Sequence, residues 1–365
     1  MEKMNKTTAK KQIRKLLFID AVSGCAIGGA AWVALLAARG FSTVEIGLLE
    51  SIFHVTSMIF EVPSGVVADM FGRRKTMVAS RVMMILSSIC MIVSRDFYTV
   101  AIAISISALS YNLASGTREA LAYDSLKEAG MEKEYDAFAS NDLMIYQMFS
   151  SAGTLLAGVA LWLGYRRANL VDAVVGVVTL VIALSLKEVH TKLHENMHPF
   201  GRLKQVVGES LAFLAGNRRA RQLILFNSLV GAVDVLVLFF LQAKLPAVGL
   251  NPLWLGPALF AMGIGAAAGA KATEYVPVRS YRKIALVAAL GTALSFAAVL
   301  TGNVYLMIPG GFLGAFCDNF LEVKTDVRLN HMIPSEQRAT LMSVNSFTFS
   351  IVMIVLSPVF GYLFS

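Results

Sequence analysis

The sequence predicts an all-α membrane protein built as two helical bundles. Three observations carry that prediction: the apolar composition, a series of bilayer-length apolar runs, and a lopsided placement of the cations. Of 365 residues, 56% are hydrophobic and 15% charged, and the mean hydropathy is +0.65. Soluble domains do not reach such values. About 20 apolar residues cross a hydrocarbon core. Runs of that order fall at 16–38, 46–68, 76–95, 98–122, 141–163, 168–186, 221–243, 254–272, 284–302, 304–323 and 340–364. These eleven predicted transmembrane helices leave little chain for a soluble domain.

The first run follows Lys10, Lys11, Arg14 and Lys15. It is too long for the core of a signal peptide and no small-residue cleavage site precedes a soluble stretch, so a retained helix with a cytoplasmic amino terminus is expected. Alternating the spans from that start places 25 basic residues in inside segments and 5 in outside connections, with Arg81 and Arg118 inside spans. Short cytoplasmic loops of membrane proteins carry this excess of Lys and Arg. The net charge of +8 therefore reports orientation, and no nucleic-acid partner is expected. Cys25, Cys90 and Cys317 all lie in apolar runs with no ligand-like spacing, so neither a disulfide nor a metal is predicted.

Six spans precede the longest polar interval and five follow it. The expected organisation is a six-helix amino-terminal bundle (1–186), a cytoplasmic linker (187–220) and a five-helix carboxy-terminal bundle (221–365). In the linker Leu203, Val206, Val207, Leu211 and Leu214 recur at helical spacing among Arg202, Lys204, Gln205, Glu209 and Ser210, the pattern of an amphipathic surface helix. An odd number of spans puts the carboxyl terminus outside and leaves the second half one helix short of the first, a missing twelfth. A degenerate echo of the second-to-third junction, Glu274 followed by Arg279, Arg282 and Lys283, sits in the corresponding place of the second half.

The junction itself is the most specific stretch. Gly65, Asp69, Gly72, Arg73, Arg74 and Lys75 crowd into the short turn between the second and third spans, preceded by Glu61 and Pro63. Residues 115–126, from Ser115 through Arg118, Glu119 and Asp124 to Leu126, form a second marked stretch, and 336–343 a third. Together they resemble the major facilitator superfamily, in particular its bacterial multidrug efflux branch of drug:proton antiporters. The resemblance implies the major facilitator fold, two helical bundles around a central cavity, and transport by alternating access. It implies a conformational latch in which Asp69 pairs with Arg338 and faces a helix amino terminus, while Gly65 lets helices approach, Gly72 permits the turn and Arg73 reaches Asp124. Arg118 and Glu119 are expected in a structural relay near the inner surface.

Charge inside a bilayer is costly and needs a reason. Asp20 lies one turn into the first span, with Ser23, Gly24 and Gly28 close in sequence, where it could bind a proton or a cation or be paired with Arg14 or Lys15. Asp234 lies deeper, in the seventh span, and is the stronger proton candidate. Asp318 and Asn319 share the tenth span with Glu322 and Lys324, where internal pairing is equally open. Tyr111, Asn112, Tyr146 and Gln147 are cavity-lining candidates on the fourth and fifth spans, though membrane helices also carry such residues to bond one another. The fifth span keeps Gly153 and Gly158 but lacks the Gly-Pro step of the antiporters, so antiport, symport and uniport stay open.

No Walker-type loop is present to hold a nucleotide, so the energy source must be a gradient. The expectation is a monomeric secondary transporter of the bacterial inner membrane, with no cofactor and no enzyme activity, exporting a small amphipathic or cationic substrate against protons. The alternative is a transporter-like sensor or scaffold without solute flux.

Overall fold

The computed structural model describes residues 4–189, 201, 208, 212–213, 215–276, 280–332 and 338–365, with side chains described at all of these except 62, 330–331 and 338–343. The predicted amphipathic linker helix lies outside the described residues. Among the described residues every regular element is helical. The first unit carries α1 (Lys6–Ser23), α2 (Ile27–Ala30), the second part of α4 (Thr43–Phe71), α5 (Arg73–Val93), α6 (Phe97–Ala114), α7 (Thr117–Glu128), α8 (Tyr135–Leu155), α9 (Ala157–Leu163) and α10 (Tyr165–Leu184). The short α3 (Trp32–Ala38) and the start of α4 belong with the second unit, which continues as α11 (Arg218–Ala247), α12 (Leu255–Ala272), α13 (Tyr281–Leu300), α14 (Val304–Met332) and α15 (Arg338–Leu363).

Nine of these helical stretches are long and apolar enough to cross a membrane, and α8 with α9, bent by 47°, makes a tenth. Each coincides with a span read from the sequence. The first predicted span differs: it is broken into α1, α2 and α3, with interruptions at Gly24 and Ala31. A broken helix leaves amides without their intrahelical acceptors. Here the missing acceptor comes from α10, where Asp172 takes the Gly28 N–H at 3.0 Å on one carboxylate oxygen and the Gly29 N–H at 2.7 Å on the other.

In the first unit α5 packs between α6 and α10, and α1 packs on α7, α8 and α10. Their shared core holds Leu16, Ile19, Met77, Leu121, Leu126 and Phe138. The entry to α6 is fixed by a capping box, with Asp96 accepting the Thr99 N–H at 2.9 Å while the Thr99 hydroxyl accepts the Asp96 N–H at 3.2 Å. Asp96 lies outside the spans, and these bonds hold its carboxyl below the ordinary carboxylate range.

In the second unit α14 packs on α11, α12 and α13, and α15 on α11. Residues 33–54 join this unit, where the Thr43 hydroxyl donates to the Gly361 carbonyl at 2.7 Å and the Ser51 hydroxyl to the Ile354 carbonyl at 2.9 Å. Outward faces stay apolar: Val174, Val177 and Val181 on α10, and Leu286, Leu290 and Leu294 on α13, are all exposed. In a soluble protein such stripes would drive aggregation; in a bilayer they meet lipid.

Candidate functional site: a charged cavity in the first unit

α6 stops at Ala114 because Ser115 is extended and Gly116 takes a φ of +71°. A side chain at that backbone angle is strained, and glycine is not. The chain restarts as α7 at Thr117, which sets Arg118 in the first turn of the new helix, and α6 and α7 together make one membrane-length stretch, Phe97–Glu128. There its guanidinium meets three carboxylates. One terminal nitrogen pairs with Asp20 of α1, and the other reaches Asp142 of α8 at 2.9 Å and Glu119 at 2.8 Å. The side chains of Asp20, Asp142 and Arg118 are 7%, 9% and 22% exposed. A planar fork of donors suits several carboxylates at once.

Among the described residues one oxygen of Asp20 and one of Asp142 receive no hydrogen bond, and the two carboxyls lie within hydrogen-bonding reach of each other. Two such groups can hold one proton between them. The cluster opens on a cavity of about 780 Å³ whose lining also includes Ser23, Arg81, Tyr111 and Tyr146, all in the first unit. That size is in the range that holds a small organic molecule.

The structure distributes the sequence candidates unevenly. Asp20, Tyr111 and Tyr146 meet at this cavity, whereas Gln147 is exposed and outside its lining. Asn112 is occupied in holding α6 to α4, accepting from the Ser57 hydroxyl at 2.8 Å and donating to the Ser57 carbonyl at 2.7 Å. Arg118, expected in a structural relay near the inner surface, belongs to the cavity cluster. Asp142 and Asp172 went unsingled in the sequence. Both stand near the start of an apolar run, where an acid reads as the edge of a loop, and only Asp172's distant glycines reveal its use.

In the second unit Asp234 and Asp318 are both buried where α11 crosses α14. Gly231 faces the Asp318 carboxylate, and Gly314 faces that of Asp234, so each acid fills the gap opposite the other helix's glycine. Asn319 donates within its own helix to the Ala315 carbonyl at 3.0 Å. Lys324 donates to the carbonyls of Thr273 and Val276 at 2.6 and 2.9 Å, and Arg328 stacks on Tyr281 at 5.1 Å.

At the junction of α4 and α5, Arg73 pairs with Asp124. Asp69 is exposed at the end of α4, and among the described residues nothing lies within 4 Å of the space a side chain would take at Gly65. The side chain of Arg338, proposed as the partner of Asp69, lies outside the described residues. Gly72 has a φ of +100°, and a Cβ there would sit 2.6 Å from the Glu188 carboxylate, which accepts the Arg74 N–H at 3.1 Å. Gly72→Ala is therefore expected to cost roughly 1–3 kcal/mol in backbone strain and to lower the melting temperature of the purified protein. Gly65→Ala, in open space, serves as the control with little change.

A helical membrane protein with a solute-sized, charge-lined cavity among its spans defines the class of multi-pass transporters. The comparisons with known proteins give the family. The Major Facilitator Superfamily profile matches residues 16–280. The chain belongs to that superfamily, and is a secondary transporter embedded in a membrane. It is 24% identical over 359 residues to an uncharacterized MFS-type transporter of Bacillus subtilis (strain 168), YxaM, covering 94% of this chain and 86% of that protein. In fold it is similar to a variant of the nucleoside transporter NupG, with a TM-score of 0.76 at 12% identity over 95% of this chain and 90% of that one. It is also similar to a bacterial homologue of the human lysosomal transporter Spinster, with a TM-score of 0.74 at 15% identity over 97% and 82% of the two chains.

Proposed function

We propose that the protein is a proton-coupled exporter of a small amphipathic or cationic solute. It works by alternating access as a monomer in the bacterial inner membrane, with its amino terminus in the cytoplasm. The observation that supports this reading is the Asp20, Arg118 and Asp142 cluster opening on the cavity. With all groups ionised, Asp20, Glu119 and Asp142 outnumber Arg81 and Arg118 by one charge. An excess charge in a poorly solvated site is unfavourable. A proton shared by Asp20 and Asp142 cancels it, and so does a cationic group on the solute. The two compete for the same oxygens, and that competition couples their movements in opposite directions. Asp234 and Asp318 are a second carboxyl pair available to a proton, buried in the second unit and outside the lining of this cavity.

The test is accumulation of a fluorescent cationic dye in bacteria lacking their main efflux pumps. Cells making the protein are expected to hold less dye than empty cells, and the difference disappears with a protonophore or with Asp142→Asn, while Asp234→Asn keeps it. Dye levels equal to empty cells, or export that survives both Asp142→Asn and the protonophore, would overturn the reading.

A further inference from the structure

The two arginines of the cavity are not equivalent. Arg118 is held by three carboxylates. Arg81 is 8% exposed, yet among the described residues its hydrogen bonds to oxygen go only to hydroxyls, Ser23 at 2.9 Å and Ser80 at 3.3 Å, and its Nε has no partner. Among the described residues no carboxylate lies within 4.0 Å of it. Asp20 is near enough to act on Arg81 through space, but its bonded oxygen is committed to Arg118. A buried guanidinium without a carboxylate is an expensive arrangement unless something else completes it. Each terminal nitrogen keeps a second N–H, and an end-on pair of these is a fork of the kind that grips a carboxylate through two parallel bonds.

Resting on the transporter reading above, we propose that Arg81 docks a carboxylate of the transported solute, which is therefore a small amino-carboxylate zwitterion. Its ammonium group goes to the carboxylates of Asp20 and Asp142, which line the cavity. Ser23 sits one turn beyond Asp20 on α1 and holds the Arg81 guanidinium, so the anionic and cationic poles of the site stand about one helical turn apart, roughly 5 Å. That separation suits charges a few bonds apart. Tyr111 and Tyr146, 60% and 52% exposed, supply faces for the body of the molecule. A second free guanidinium is absent from the described lining, which favours a singly charged carboxylate over a phosphate dianion.

The experiment uses the purified full chain in lipid nanodiscs, incubated with an equimolar mixture of the protein amino acids, their alanyl dipeptides and the carboxy-terminal amides of both. Retained compounds are read by mass spectrometry. The wild type is expected to enrich one or more free acids over the matching amide by on the order of tenfold or more, since a site built for a polar group rejects the analogue lacking it. Arg81→Gln is expected to erase that preference and Arg81→Lys to keep part of it. The comparison of acid with amide in the wild type needs no variant, so misfolding of Arg81→Gln does not spoil the test. Equal or greater retention of the amides, or an acid preference untouched in folded Arg81→Gln, overturns the inference. If amides are retained and exchanged for protons, the transport reading stands and the zwitterion falls; if free acids are preferred but no dye is moved, the carboxylate docking stands and export of a purely cationic solute falls; if the wild type retains nothing and moves no dye, both fall.

Discussion

Arg118→Gln is expected to be the most damaging single change, lowering stability by roughly 3–5 kcal/mol, the cost of stripping the partner from buried charges. Asp20, Asp142 and Glu119 would then face one another with no cation in bonding contact. Thermal unfolding of the purified protein should show a large drop, and cation export should be lost with it. The charge accounting makes a sharper demand on the double variant. Adding Asp142→Asn to Arg118→Gln removes one of the stranded charges and should raise the melting temperature above that of the single variant. A double variant that melts at or below Arg118→Gln would mean that the carboxylates do not depend on a common guanidinium.

The second large effect belongs to Asp172, which no substrate need touch. Asp172→Ala takes away both acceptors of the Gly28 and Gly29 amides. Gly28 is buried, and a buried donor left unsatisfied costs about 1–3 kcal/mol, while the Gly29 amide is exposed and loses less. Asp172→Asn keeps one acceptor oxygen, so the expected order of melting temperatures is wild type, then Asn, then Ala. Hydrogen exchange at Gly28 and Gly29 gives the local reading, with faster exchange in the Ala variant while amides in the middle of α5 keep their protection. An Ala variant with wild-type melting and wild-type exchange would show that water or another group replaces the carboxylate.

The helical membrane fold was legible because the bilayer imposes a length and an apolar character that no other environment demands, and ten spans fall where the hydropathy put them. The break in the first span was not. Gly24, Gly28 and Gly29 are visible in the sequence, but glycines are common in membrane helices, and the acceptor that makes these three informative lies on another span. The cavity was half legible. Asp20 stood out because the residues around it are apolar, while Asp142 passed for the end of a loop because its run begins at 141. Arg118 stood out as a charge in a predicted span, but its partners Asp20 and Asp142 lie on two other spans and nothing local pairs them. Arg73 and Asp124 were matched through a family likeness, since 51 positions separate them and nothing local pairs them.

The carboxylate that closes the first span has a bearing on how the protein is made. Asp172 comes 144 residues after Gly28. At a synthesis rate of about 5–20 residues per second, the ribosome needs roughly 7–30 seconds to supply it. For all of that interval the nascent first span lacks the group that accepts from its two glycine amides. Its final broken shape is therefore set late, when α10 arrives, and a nascent chain arrested before residue 172 should hold a first span that is chemically distinct from the one in the finished protein.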